Sequence, residues 1–234
     1  MLKTIYAIEI SGICNLQCSY CPYGLHQRAR GLMDRNTLER VVDLISSGTL
    51  QAGSPLHLHL FGEPLLHPQF LAMARRIKEV ATRISFSTNG TKIDYRVAQR
   101  MAEVGFAYVT VSPHDKQTAL KAAYLLRARG VRTNIHPGPD HNWGGQVDHK
   151  VKWWNGCEFC QDLKVVVRWN GDVAVCCISD GPEAVIGTVW DEDLKDREHK
   201  EIELCKTCHL KRKGARYEQG QAMPDAGRQA VSNG

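Results

Sequence analysis

Leu56-His57-Leu58-His59-Leu60-Phe61-Gly62-Glu63-Pro64 is the stretch on which the fold turns. Leucine alternates with histidine, and side chains alternate faces along a strand, so one face is apolar and the other polar. The run then breaks on a glycine. The same alternation recurs down the chain. Ile84 and Phe86 alternate with Ser85 and Ser87, and Val109 and Val111 with Tyr108, Thr110 and Ser112. Val131, Thr133 and Ile135 alternate with Arg132, Asn134 and His136. These runs, with one at 4–10, predict strands over 4–10, 56–61, 84–87, 108–112 and 131–136. Helical segments fill the gaps over 34–47, 68–82, 94–104 and 116–129. Gly48, Gly105 and Gly130 stand where helices would end.

Strand and helix in strict order predict a parallel sheet with covering helices. A parallel strand covered on both faces reads as a continuous hydrophobic run, and these do not. The expected α/β fold is therefore a partial (β/α) barrel of about five parallel strands and four helices. Its concave face is polar, with a substrate near the carboxyl ends of the strands. The inward set is Glu9, His57, His59, Tyr108, Arg132, Asn134 and His136, with His114 and Asp115 just past the fourth strand. Of these, Arg132 and His136 are the preferred contacts for a substrate or relay for its proton.

The remaining sequence predicts a different unit. Residues 140–154 lack a clear period and read as a linker. Runs at 164–168 and 172–176 flank Asn170-Gly171, a strong hairpin signal, and 191–204 is charged and expected to be helical. The division expected is a barrel over 1–141, a linker with a small cysteine-bearing domain over 142–212, and a basic, flexible tail over 213–234. The net charge of +5 lies mostly over 206–234, where Lys206, Lys211, Arg212, Lys213, Arg216 and Arg228 face only Glu218 and Asp225. The body thus lacks the basic face that duplex binding demands. The first residues are too short an apolar run for a secretory signal, and nothing later is long enough to span a bilayer. A cytoplasmic protein without membrane contact is expected.

The cysteines carry the chemistry. There are 9 of them, gathered at 14, 18 and 21 and again at 157, 160, 176, 177, 205 and 208. Without an oxidising compartment, tight clusters read as metal or iron–sulfur ligands. Cys14, Cys18 and Cys21 follow the first strand with spacing C-x3-C-x2-C. Three thiolates can hold three irons of a cubane and leave the fourth open. Zinc is the alternative, though it prefers four ligands. Cys157, Cys176, Cys205 and Cys208 form a four-thiolate set that suits either structural zinc or a second [4Fe–4S] cluster.

The triplet and the elements after it resemble the radical S-adenosylmethionine (radical SAM) superfamily. Tyr20 directly before Cys21 matches the family's aromatic residue against the adenine. Gly62-Glu63-Pro64 matches the glycine-rich element that meets the methionine amino group. Ser87-Thr88-Asn89-Gly90 matches the polar stretch near the methionine carboxylate and ribose, and Ser112 is a further contact. The resemblance covers 4–136. It implies a [4Fe–4S] cluster on Cys14, Cys18 and Cys21, S-adenosyl-L-methionine on its open iron, and reductive cleavage to a 5′-deoxyadenosyl radical. It also implies an external electron donor of the flavodoxin or ferredoxin type.

The later cysteines, with Asn170-Gly171-Asp172, Cys176-Cys177, Gly187-Thr188-Val189 and a closing C-x2-C, resemble the SPASM/twitch extension of that superfamily. The resemblance implies an auxiliary [4Fe–4S] cluster on Cys157, Cys176, Cys205 and Cys208. Cys160 or Cys177 could replace Cys157 or Cys176. Such a cluster would accept an electron from the substrate radical, making a small polar substrate the expected target of a two-electron oxidation. The alternative is radical modification of a macromolecule: a ribosomal peptide, a protein side chain, or a DNA or RNA nucleotide.

Overall fold

The computed structural model describes residues 3–25, 28–136, 143, 146–147, 157, 159 and 162–208. Cys160, most of the expected linker and the whole expected tail lie outside the described residues.

Five strands and four helices alternate as the patterning requires. They are β1 (Thr4–Ile8), α1 (Arg35–Ser46), β2 (Gln51–His57), α2 (Phe70–Lys78), β3 (Ile84–Thr88), α3 (Tyr95–Val104), β4 (Tyr108–Val111), α4 (Lys116–Arg127) and β5 (Thr133–Ile135). Aspartates start three of the helices. The Asp34, Asp94 and Asp115 carboxylates accept from the backbone N–H of Thr37, Val97 and Thr118, satisfying donors that a helix start leaves free. Gly105 ends α3 in the left-handed conformation at φ 70°. Asp115 is thus a helix cap rather than an inward group.

Three further strands follow: β6 (Lys164–Val167), β7 (Asp172–Ala174) and β8 (Val185–Thr188). All eight form one sheet in the order β5-β4-β3-β2-β1-β6-β7-β8. β1 to β5 pair in parallel, and β6 lies parallel to β1 with Thr4 opposite Lys164. β7 and β8 return antiparallel. The expected hairpin therefore extends the first sheet. Val165, Val166 and Val167 are each 0% exposed, as a strand covered on both faces should be.

Two expectations about elements fail. β2 begins at Gln51, ahead of the alternating run, because Gly53 lies so close to β1 that an added Cβ would stand 2.8 Å from the Ile5 carbonyl oxygen. Beyond His57 the run no longer pairs with β1, while Leu58 N–H still donates to Ser85 O of β3 at 2.8 Å. Leu60 then packs with the concave-side cluster around Ala7 and Val166 rather than with the helices. The expected helix over 191–204 is absent: turns occupy 192–196, and a single 3-10 turn spans Glu203–Lys206. Its only buried apolar residues over that span are Leu194 and Ile202, too few for a stripe that a helix could bury.

The larger core lies between the sheet and the helices, where Phe70, Phe86 and Phe106 stack among leucines, isoleucines and valines. The concave face is less wet than its polarity suggested. Tyr6, His57, His59, Tyr108 and Phe159 form a packed aromatic layer with ring centroids 4.6–6.4 Å apart.

Candidate functional site

Each element of the first site sits just past the carboxyl end of a strand. The chain leaves β1 through Ser11, whose backbone bridges to Leu32, and Gly12 N–H donates to Gly31 O at 2.8 Å. The cysteine loop is closed by Cys21 N–H donating to Cys18 O at 3.0 Å. Cys14 N–H donates to the Tyr23 hydroxyl at 2.8 Å. Cys14, Cys18 and Cys21 are all half-buried free thiols.

Gly62 and Glu63 brace this loop. A Cβ on Gly62 would collide with the carbonyl oxygens of Ser11 and Ile13, so only glycine admits the loop. Glu63 N–H then donates to Ile13 O at 2.8 Å. The Glu63 carboxylate is buried, and accepts from Thr88 Oγ1 at 2.8 Å, Asn89 N–H at 2.7 Å and Leu65 N–H at 3.1 Å. Burial pushes its carboxyl above the usual range, while these three donors draw it back. Glu63 thus ties the turn at Pro64 to the end of β3. Its oxygens serve the protein first, and the sequence did not reveal that.

Asn89 points its Nδ2 at Asn15 Oδ1, 2.9 Å away, and at Cys14 Sγ, 3.9 Å away. Ser87 N–H donates to His59 Nδ1 at 3.1 Å, and Ser112 N–H to Thr88 O at 2.8 Å. The Tyr20 carbonyl accepts from Trp143 Nε1 at 3.0 Å. Cys14, Cys18, Cys21, Gly62, Glu63, Pro64, Ser87, Asn89 and Ser112 therefore share one edge of the sheet. Burial pushes Cys14 up and Cys21 to about 11, and it raises the Tyr20 phenol further still, with Cys18 beside it. Thiols in such a place stay protonated until a cation claims them, as binding of iron would do.

Arg132 is not at this edge. It precedes β5, is exposed, and offers its carbonyl to Val109 N–H at 2.9 Å, at the amino end of the strands. His136 follows β5 at the carboxyl end, with its N–H on Val111 O at 2.9 Å. His59 is held neutral, its pKa lowered to about 3 by burial and by His57 beside it.

The later cysteines meet at the other end of the sheet. Cys157, Cys176, Cys177, Cys205 and Cys208 line a single cavity with Phe159, Val175, Ile202 and His199. Burial raises Cys176 to about 12 and Cys177 well above its ordinary value. Among the described residues no three Cys, His, Asp or Glu side chains are close enough to hold one metal ion. A tetrahedral zinc needs its sulfurs within about 4 Å of each other, given Zn–S near 2.3 Å. Ligands to separate irons of a cubane stand farther apart.

A cleft of about 630 Å³ opens beside the hairpin turn, lined by Arg28, Arg168, Trp169, Asp172 and Asp180 among others. Of these, only the turn itself was marked in the sequence. Trp169 lies flat over Gly12 and Gly31, whose missing Cβ atoms leave room for the indole.

Residues 8–115 match the Radical SAM superfamily family model. Fe-coproporphyrin III synthase of Methanosarcina barkeri is 32% identical over 140 residues, 55% of this chain and 33% of that protein. The chain spans about a third of the length of the first curated relatives it matches. The S-adenosyl-L-methionine-dependent 2-deoxy-scyllo-inosamine dehydrogenase of Niallia circulans is 28% identical over 244 residues, 89% of this chain and 93% of that protein. The crystal structure of BtrN with AdoMet and 2-DOIA superposes with TM-score 0.67 at 22% identity, covering 84% of this chain and 81% of that one. No helix among the described residues is long and apolar enough to cross a membrane. A cysteine loop braced by a glycine and a buried glutamate, at the carboxyl edge of a parallel sheet, thus lies within residues 8–115, the stretch that matches the Radical SAM superfamily model.

Proposed function

We propose that the chain is a cytoplasmic radical SAM oxidoreductase that oxidises a small polar substrate, a hydroxylated ring of the aminocyclitol or sugar kind, by two electrons. The observation that carries this reading is the pairing of two cysteine sites on one sheet, the braced triplet at one edge and the five-cysteine cavity beyond β6. The near full-length likeness to the 2-deoxy-scyllo-inosamine dehydrogenase supports the substrate class.

Cys14, Cys18 and Cys21 would hold the first [4Fe–4S] cluster, and Cys157, Cys176, Cys205 and Cys208 an auxiliary one. When bound, the first cluster and S-adenosylmethionine supply a 5′-deoxyadenosyl radical that removes a hydrogen atom from an unactivated carbon. The protein's part is placement. Asn89 and Ser87 offer polar groups to the cofactor's carboxylate and ribose, Tyr20 an aromatic face, and the Gly62-Glu63-Pro64 turn free backbone acceptors for its ammonium. His136, at the carboxyl edge, is the better placed of the two expected substrate contacts. A flavodoxin- or ferredoxin-type donor would reduce the first cluster.

The test is anaerobic reconstitution with iron and sulfide, then turnover with reductant, S-adenosylmethionine and 2-deoxy-scyllo-inosamine deuterated at its carbinol positions. Deuterium in 5′-deoxyadenosine together with a ketone product supports the proposal. Cleavage of S-adenosylmethionine with no deuterium transfer from any aminocyclitol or sugar alcohol rejects the substrate class. His136→Gln should lower product formation more than abortive cleavage, whereas Arg132→Met, at the amino end of the strands, should leave the ratio of product to abortive cleavage at the wild-type value.

A further inference from the structure

A buried group of charges lies between the two cysteine sites, and the chemistry proposed above makes no use of it. Glu9, just past β1, is 0% exposed. Arg28 grips it with two parallel bonds, Nη1 to Oε2 at 2.8 Å and Nη2 to Oε1 at 2.6 Å. The same guanidinium pairs through Nε with Asp180. Arg168, 2% exposed, donates through Nη2 to the carbonyls of Ser179 and Gly181 at 3.2 and 3.0 Å. Phe61 N–H, one residue before Gly62, also donates to Glu9 Oε1 at 3.2 Å.

The chain connectivity gives this group its meaning. Glu9 and Arg28 flank the Cys14–Cys18–Cys21 loop on either side. Ser179, Asp180 and Gly181 follow Cys176 and Cys177 after the single residue Ile178. One guanidinium therefore spans the two cysteine-bearing loops, with Glu9 on its Nη1/Nη2 fork and Asp180 on its Nε. Removing paired charges from water costs free energy that an apolar contact would not, so such a group is weak as a source of stability. What a bidentate Arg–carboxylate pair supplies is orientation.

We propose that Arg28 is a positioning residue, bridging Glu9 and Asp180 so that the loop after Cys176 and Cys177 is held in register with the first cysteine loop. This rests on the reading of both cysteine sets as cluster sites. The bridge sets the separation between a radical formed at the first site and an electron acceptor at the second, and transfer falls steeply as that separation grows.

Three variants test it: Arg28→Met, Arg28→Lys, which keeps the charge but loses the fork, and Asp180→Asn. In the protein without iron, hydrogen exchange at 178–181 should accelerate about 10-fold or more in each, while β3 and β4 keep wild-type protection. In reconstituted protein the spin–spin coupling between the two reduced clusters should weaken, and product should fall relative to abortive S-adenosylmethionine cleavage. Arg28→Lys should lie between wild type and Arg28→Met. Combining Arg28→Met with Asp180→Asn should add little to either alone. If Arg28→Met fails to fold, Arg28→Lys and Asp180→Asn carry the test. Wild-type exchange and wild-type coupling in these two variants overturn the proposal. Should the wild-type protein take up only one cluster, the reading of the second site fails separately, and the exchange experiment still decides the bridge.

Discussion

The two cysteine sites are built by opposite means. Cys14, Cys18 and Cys21 come from one loop, fixed by its own turn, by the Glu63 N–H on Ile13 O and by the close approach of Gly62. Cys157, Cys176, Cys177, Cys205 and Cys208 come from three separated segments, and meet only because β6 and β7 extend the sheet past β1. A local site declares itself by spacing. A site assembled by tertiary contact does not, since its geometry depends on strand order.

Removing sulfurs gives the largest separation between the two. Cys18→Ala should abolish 5′-deoxyadenosine formation altogether, because no open iron is then held at the first site. Cys205→Ala together with Cys208→Ala should leave reductive S-adenosylmethionine cleavage within about 10-fold of wild type while product falls to background, since the first loop is braced independently. Assays of 5′-deoxyadenosine and of product, run in parallel with iron analysis, check both. Equal loss of the two activities in the Cys205/Cys208 variant would mean that the sites are one unit.

The glycines sharpen the contrast. Gly62→Ala forces a methyl group against two carbonyl oxygens of the cysteine loop, which only a backbone shift can relieve. It should cost about 1–3 kcal/mol in denaturant unfolding and lower iron uptake at the first site. Gly181→Ala, near the second site, meets only the Glu183 side chain, which can swing away. Its cost should stay below about 1 kcal/mol. A Gly62→Ala protein of wild-type stability and iron content would remove the brace from the argument.

Much of the first region could be read in advance for the same reason. The alternation at Leu56–Leu58 marked two faces, and Gly48, Gly105 and Gly130 marked helix ends, each at positive φ. Asn170-Gly171 marked its hairpin, with Gly171 at φ 89°. Cys14, Cys18, Cys21, Gly62, Glu63 and Asn89 do share an edge. The pairing of β6 with β1 could not be read from local pattern, although Val165-Val166-Val167 carried the signal of a strand covered on both faces. Glu9 was marked only as inward-facing, and Arg28 and Asp180 had no signal at all, because ion pairs between distant segments leave no periodicity. Arg132 was misplaced for a different reason. Alternation tells which face a residue takes, and says nothing of which end of the strand it occupies.

Acid should strike the first region through His59. Its folded pKa of about 3 lies below the ordinary value of 6.5, so the fold favours the neutral ring. The stability this contributes is complete above pH 6.5 and is lost as pH falls toward 3. The loss approaches about 1.4 kcal/mol for each pH unit through that window. Urea midpoints between pH 7 and 4 should fall less steeply in His59→Asn than in wild type. Parallel slopes would show that the ring already charges freely in the folded protein.

A small effect is expected at Asp34, and it serves as the contrast to Arg28. Asp34 caps α1 through Thr37, with Oδ1 on the backbone N–H at 2.8 Å and Oδ2 on the hydroxyl at 3.1 Å. The helix it starts packs Leu38, Val41 and Leu44 into the main core, and Arg40 Nε donates to the Val189 carbonyl at 2.8 Å. Asp34→Ala leaves the Thr37 N–H without its acceptor and should cost about 1 kcal/mol of global stability. Asp34→Asn, which keeps a side-chain oxygen at the same reach, should recover most of it. Because α1 supports both regions through the common core, the loss should be shared. Iron uptake and cluster–cluster coupling should then stay at wild-type values after Asp34→Ala, where Arg28→Lys alters the coupling. If the cap variant shifts the coupling as far as Arg28→Lys does, general loosening of the fold explains both, and the bridge has no special part in setting the two sites.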